Sequence, residues 1–267
     1  MKIFIDADSC PVLDITLAAC RIFEIPAVIV HADAIKIKRD DAEIICCRIG
    51  ANSADRHILD RVTAGDVVIT NDSGLAGLCL DKKARAINSF GIRYQQGPAK
   101  RSSYILPLFP TKRTLNDDLA FVKRFLDFLD LKVPKKSPRC LYLDYSPKSY
   151  IKVAVAFCEI FNLPYKIYTS GDPYFTNNDS IVTSLYDPTD RAIDILGNIR
   201  PDDIIVAQRT ELEIEALKQK AHVLFLNGEC PGLDGYEELA DGTQLPHPAK
   251  HGKDLCRFTE ALYDLIK

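Results

Sequence analysis

Two stretches of this chain repeat one another, and that repeat limits the possible folds more than any other feature. Lys2-Ile3-Phe4-Ile5-Asp6 leads into a helical stretch from Leu17 to Pro26, and Cys140-Leu141-Tyr142-Leu143-Asp144 leads into another from Val155 to Pro164. Asp6 pairs with Asp144, Ala18 with Ala156, Cys20 with Cys158, Phe23 with Phe161 and Pro26 with Pro164, all at one constant offset. After a small change of length the match resumes. Asp55-Arg56-His57-Ile58 answers Asp190-Arg191-Ala192-Ile193, Gly65-Asp66 answers Asp202-Asp203, Lys83-Ala84 answers Lys220-Ala221 and Gly91 answers Gly228. Two similar halves imply two similar units in tandem, each burying its own apolar face. The expected domains are residues 1–133 and 139–267. Lys132 to Pro138, with two prolines among cations, reads as the linker.

The 267 residues and 47% apolar content suffice for two such cores. Each half reads strand, helix, strand, then helix, strand, helix, strand. Residues 2–6 and 66–70 are continuous apolar runs, as in parallel strands covered on both faces. The expectation is an α/β chain of two three-layer α/β/α units with mostly parallel sheets. A further helix is expected from Asp117 to Leu131, with Leu119, Val122, Phe125, Leu126 and Leu129 on one face.

Ligands of open parallel sheets sit beyond the carboxyl ends of the strands. There the first half places Asp6 and Asp8, Asn71-Asp72-Ser73 after the strand 66–70, and Asp55 at the start of a helix. Asp6, Asp8, Asp55 and Asp72 are the candidate catalytic residues, and Asp6, Asp8 and Asp72 the candidate metal ligands. Carboxylates about 4 Å apart repel by about 4 kcal/mol per pair at an effective dielectric near 20. Protons or cations relieve that, and hard oxygen ligands suit Mg²⁺ or Mn²⁺. Plain structural roles stand beside these: Asp55, Asp72 and Asp8 as helix caps or first-turn acids, and Asp66 as a turn residue. The second half keeps Asp144 and Asp190 but has Ser146 for Asp8 and Arg209 for Asp72, so no working metal site is expected there.

Asp6-Ala7-Asp8-Ser9-Cys10-Pro11, Ala54-Asp55, Gly65 to Asp72 with Leu75-Ala76, Asn88 and Gly91-Ile92-Arg93-Tyr94 together resemble the YaiI/YqxD family of bacterial proteins. The resemblance covers about the first 130 residues directly and the rest through the repeat. It implies a PIN-like sheet with an acidic, metal-binding centre made by Asp6, Asp8, Asp55 and Asp72, and RNase activity. One departure concerns substrate binding: the family's Asn-Pro-Arg-Gly turn is here Asn88-Ser89-Phe90-Gly91, without the arginine.

From Ile92 to Asn116 no acidic residue occurs, and Arg93, Lys100, Arg101, Lys112 and Arg113 alternate with Tyr94, Tyr104 and Phe109. Cations and aromatics so mixed suit single-stranded nucleic acid, against the plainer reading of a solvated loop. Arg93, Lys100, Arg101, Asn71 and Ser73 are the expected substrate-binding residues. The matching stretch of the second half carries Glu229, Asp234, Glu237, Glu238 and Asp241. The net charge of −3 excludes a globally basic nucleic-acid binder, so any such surface is local.

Nine cysteines without a C-x-x-C pair read as reduced thiols of a cytoplasmic protein. No run is long enough to span a membrane. Cys10 reads as packing, and His247 and His251 as no metal pair beside Pro246 and Pro248. The function read from these residues is a divalent-metal-dependent nuclease or phosphodiesterase acting on RNA or single-stranded nucleic acid. The alternatives are a non-catalytic tandem binding protein that mimics a homodimer within one chain, and a phosphatase of the haloacid dehalogenase kind with Asp6 as nucleophile.

Overall fold

The computed structural model describes residues 1–8, 10–32, 37, 39–47, 53–96, 112–131, 139–144, 146–169, 173–175, 181–183, 188–208, 210–233 and 253–266. Two compact units divide the chain: Met1–Arg113 with Asp117–Lys132, and Thr114–Asn116 with Val133–Lys267.

The first unit runs β1 (Ile3–Asp6), α1 (Leu13–Ile22), β2 (Ala27–Ala32), β3 (Glu43–Cys47), α2 (Ser53–Arg61), β4 (Val67–Ile69), α3 (Ser73–Asp81), β5 (Arg85–Ile87) and α4 (Leu115–Phe128). The second runs β6 (Leu141–Asp144), α5 (Lys148–Phe161), β7 (Tyr165–Thr169), a 3₁₀ turn at Pro173–Phe175, β8 (Ile181–Thr183), α6 (Pro188–Asn198), β9 (Ile204–Val206), α7 (Thr210–Lys218), β10 (His222–Val223) and α8 (Lys253–Ile266). Each sheet has five strands, ordered β3-β2-β1-β4-β5 and, read the same way, β8-β7-β6-β9-β10. Every neighbouring pair is parallel. The chain is therefore α/β with two parallel sheets of one strand order.

Alternate residues of a strand point to opposite faces, and β1, β4, β6 and β9 are buried at every position. Both faces of each sheet are covered. Phe4, Val28, Val30 and Val68 meet Ala54, Ile58 and Val62 of the α2 region and Leu75 and Cys79 of α3. In the second unit Tyr142, Tyr168 and Ile205 meet Ile195, Ile199, Leu212 and Ala216. Tyr150 on α5 packs edge-on against Phe258 of α8.

One turn is built identically in both units. Asp66 accepts from the Lys2 amide at 2.8 Å, the Thr63 amide at 3.0 Å and Thr63 Oγ1 at 2.8 Å. Burial alone would raise its pKa, but these hydrogen bonds hold it below the usual value. Asp203 likewise accepts from the Cys140 amide at 2.7 Å and the Arg200 amide at 2.8 Å. Both are structural. Gly91 and Gly228 also match, each at positive φ (76° and 89°). A Cβ on Gly91 would lie 2.6 Å from Arg124 Cβ of α4, and one on Gly228 2.7 Å from the Arg257 carbonyl carbon of α8.

Two strands are absent from the sequence expectation, β3 and β8. A parallel neighbour ordinarily follows a helical crossover of a dozen or more residues, and only residues 33–42 separate β2 from β3. β3 is also an edge strand with Glu43 and Cys46 exposed, so its alternation is weak. Strand and helix ends move by a few residues: β1 and β4 are shorter than 2–6 and 66–70, and α4 starts and stops earlier than 117–131. The linker 132–138, Lys100, Arg101, Tyr104, Phe109, Arg209, His247 and His251 lie outside the described residues. No disulfide joins any of the nine cysteines. Among the described residues no helix is long and apolar enough to cross a membrane.

Candidate metal centre

β1 and β4 are neighbours at the middle of the first sheet, and the chain leaves them in opposite directions, to β2 and to β5. Their carboxyl ends thus open a crevice. Asp6, the last residue of β1, is buried and accepts from Thr70 Oγ1 at 2.7 Å. The same Thr70 hydroxyl accepts from the Asp72 amide at 3.0 Å, so one side chain ties the two strand ends together. Exposed Asp8 turns to β2, its Oδ1 accepting from the Ala32 amide at 2.9 Å. It is not a helix cap, since the N-cap of α1 is Val12 and no side-chain cap bond is made there. Asp72 does cap α3: its Oδ1 accepts from the Gly74 amide at 2.6 Å and the Leu75 amide at 3.1 Å. For Asp8 and Asp72 the second oxygen has no partner among the described residues.

Asp55 stands in the first turn of α2. Its carboxyl is held above the usual 3.8, first by burial and then by the negative charges of Asp72, Asp6 and Asp8. The structure therefore brings all four expected aspartates into one field. It does not pack them into a finished cage: among the described residues no three His, Cys, Asp or Glu side chains are grouped closely enough to hold a metal ion. Cys10 lies beside them, its thiol pushed up to about 12 by burial, with Asp6 and Asp14 adding to the rise and the Val12 amide and Arg113 opposing it. It is a packed thiol and no nucleophile.

Residues 4–103 match the model of the uncharacterised YaiI/YqxD family, a span that holds all four aspartates. A UPF0178 protein of Alkaliphilus oremlandii is 34% identical over 147 residues, which is 95% of that protein and 51% of this chain. One from Exiguobacterium sibiricum is 33% identical over 144 residues, 99% of its length and 49% of this chain. Near-complete coverage of such relatives decides the matter. The chain belongs to the YaiI/YqxD family. In this YaiI/YqxD protein, relatives of that length account for about half of the sequence.

The second unit shows what the same frame looks like without the acidic set. Thr63 and Asp66 correspond to Arg200 and Asp203 by their shared turn, and no residue is gained or lost between that turn and the helix before it. Buried Ala54, Ile58 and Val62 thus correspond to buried Arg191, Ile195 and Ile199. This register corrects the pairing of Asp55-Arg56 with Asp190-Arg191: Ala192 stands in the place of Asp55, and Asp190 in that of Ser53. Ser146 replaces Asp8, Ala207 replaces Thr70 and Arg209 replaces Asp72. Asp144 alone remains, 1% exposed, and Arg191 turns its guanidinium onto it, Nε to Oδ1 at 3.2 Å. Arginine at a helix position that faces the core was invisible to a reading that placed charges on outer faces.

The expected substrate residues are scattered by comparison. Asn71 Oδ1 accepts from the Ser89 amide at 3.1 Å, and Ser73 opens α3. Arg93 turns away to Asp127 of α4 at 2.6 Å and lies over the Phe128 ring. Arg113, at the far end of the basic stretch, pairs with Asp118 and sits over the Phe90 ring, 5.0 Å from its centre.

Proposed function

We propose that the first unit is a divalent-cation-dependent phosphodiesterase of PIN-like type acting on RNA or single-stranded nucleic acid. The observation that carries this reading is the field shared by Asp6, Asp8, Asp55 and Asp72 at the end of the central strands, felt as the raised pKa of Asp55. Such a set fits a hard cation. Mg²⁺ keeps several of its waters, so carboxylates spaced too widely for three direct bonds suit an ion held by one or two of them and through water by the rest. Asp6, Asp8 and Asp72 are the ligands in this reading. A cation held there would supply an activated water and offset charge at the phosphate. Asp55, with its raised pKa, is suited to take the proton of the attacking water. Thr70 positions Asp6.

Titration of Mn²⁺ by calorimetry into wild type and Asp72→Asn tests the reading. Asparagine caps helices about as well as aspartate, so the variant folds while losing one charge. Binding in the micromolar to millimolar range that disappears in the variant, with cleavage of single-stranded RNA following it, supports the assignment. No Mn²⁺ binding, with or without a single-stranded oligonucleotide, overturns it. A second reading, a tandem binding protein without turnover, is favoured by the second unit, whose one remaining aspartate is already neutralised by Arg191. Oligonucleotide binding without cleavage in Mn²⁺ is its signature.

A further inference from the structure

The turn after β5 holds two buried polar side chains, each with a donor left unpaired among the described residues. Asn88 and Ser89 are each 1% exposed. Asn88 Oδ1 accepts from the amides of Phe90 at 3.0 Å and Ile92 at 2.9 Å, but among the described residues its Nδ2 has no hydrogen-bond partner, and neither has Ser89 Oγ. The next residue, Phe90, carries the Arg113 guanidinium against its ring. Arg113 Nε pairs with Asp118 and its Nη2 donates to the Asp117 carbonyl at 3.4 Å, whereas its Nη1 is buried and unpartnered among the described residues. Buried donors are nearly always satisfied, and each exception calls for a cause.

The second unit supplies the control. Its turn has the same two backbone bonds: Phe225 N to Glu229 O and Gly228 N to Phe225 O, against Asn88 N to Ile92 O and Gly91 N to Asn88 O. Phe225 and Leu226 stand there in place of Asn88 and Ser89, both buried. The backbone thus accepts apolar side chains at these positions, so the turn forms without the two donors, Asn88 Nδ2 and Ser89 Oγ, that the first unit buries there. Three donors, one of them cationic, match an oxyanion. The turn is also tied to the carboxylate rim, through Ser89 N to Asn71 Oδ1 and through the Tyr94 hydroxyl to the Thr70 carbonyl at 3.3 Å.

We propose that Asn88 Nδ2, Ser89 Oγ and Arg113 Nη1 form an oxyanion subsite that receives a phosphate of a nucleic-acid backbone beside the acidic rim. The choice of ligand rests on the phosphodiesterase reading, because a bare carboxylate rim repels phosphate and only donors next to it retain one.

The test is thermal unfolding of the full chain in EDTA against rising inorganic phosphate, for wild type, Ser89→Ala, Asn88→Asp and Asp72→Asn. Phosphate also stabilises proteins by exclusion from their surface, equally in all four, so the readout is the difference between them. Ser89→Ala removes only an unpartnered hydroxyl and leaves the fold intact. Asn88→Asp keeps the oxygen that the two amides use and places an acceptor where the donor was. The expected result is a phosphate affinity lowered several-fold in Ser89→Ala and by roughly tenfold or more in Asn88→Asp, with Asp72→Asn like wild type, and competition by a single-stranded oligonucleotide. Equal responses of wild type and Ser89→Ala overturn the subsite, and an oligonucleotide that fails to compete overturns its assignment to a backbone phosphate. Mn²⁺ binding without a specific phosphate effect removes the subsite alone, and the converse removes the catalytic reading alone.

Discussion

Thr70 Oγ1 donates to Asp6 Oδ2 at 2.7 Å while accepting from the Asp72 amide at 3.0 Å. One hydroxyl thereby aims a buried carboxylate and sets the start of α3, where Asp72 is the cap. Thr70→Val keeps the shape and removes both bonds. A loss of about 1–3 kcal/mol in urea unfolding is expected, with Mn²⁺ affinity down by roughly 10–100-fold, as for groups that orient metal ligands. Thr70→Ser restores both. Unchanged Mn²⁺ affinity in Thr70→Val would show that Asp6 needs no such positioning.

Asp55 carries the pH dependence. Its folded pKa lies above the unfolded value of 3.8, so the metal-free protein binds this proton more tightly when folded. The corresponding stability is fully present below 3.8 and is lost as pH rises through the raised value. A cation held beside Asp55 favours its ionised form, so Mn²⁺ affinity is expected to fall as pH drops through that same raised value, and binding there to release a proton. Calorimetry in buffers of different ionisation enthalpy measures the release. Asp55→Asn abolishes it, together with that part of the stability profile.

Asp72 has two roles that two substitutions separate. Asp72→Ala forfeits the cap bonds to Gly74 and Leu75 and costs about 1 kcal/mol, whereas Asp72→Asn keeps them. Both lose Mn²⁺ binding. Matching melting temperatures for the two variants would contradict the cap geometry.

In the second unit, Asp144→Ala leaves the buried Arg191 guanidinium without its carboxylate, with an expected cost of about 3–5 kcal/mol. Mn²⁺ stoichiometry stays unchanged. Ala54→Arg imports the same arrangement into the first unit and is expected to end Mn²⁺ binding there, because the guanidinium then neutralises Asp6. Retained binding in Ala54→Arg would break the equivalence of the two positions.

The sheet strands and the acidic rim were legible because both rest on local signals, continuous apolar runs and aspartates at strand ends. Asp6, Asp8, Asp55 and Asp72 were named together before their shared field was visible. Asp8 as partner of Ala32 was not, since that bond joins adjacent strands and leaves no local trace. β3 escaped because it is an edge strand of weak alternation that follows β2 after only residues 33–42. The Asp190 pairing failed for a different reason: identity aligned the two Asp-Arg dipeptides, while the core aligns Ile58 with Ile195. A matching pair of letters carries less weight than a helix's buried stripe. The unused donors of Asn88 and Ser89 were likewise hidden, because polar residues in a turn ordinarily read as solvated.

The Asp144–Arg191 pair also sets how each half of the chain meets its surroundings. A counter-ion tethered by its own backbone has a local concentration fixed by the chain itself, whatever the solution contains. In the proposed reading the aspartates of the first unit instead draw counter-charge from a dissolved cation. The proposed cation site therefore predicts that chelation is felt by one half of a single polypeptide: amide exchange along β1 and β4 is expected to follow the dissolved cation, and that along β6 and β9, which carry their neutralising charge with them, to stay unchanged.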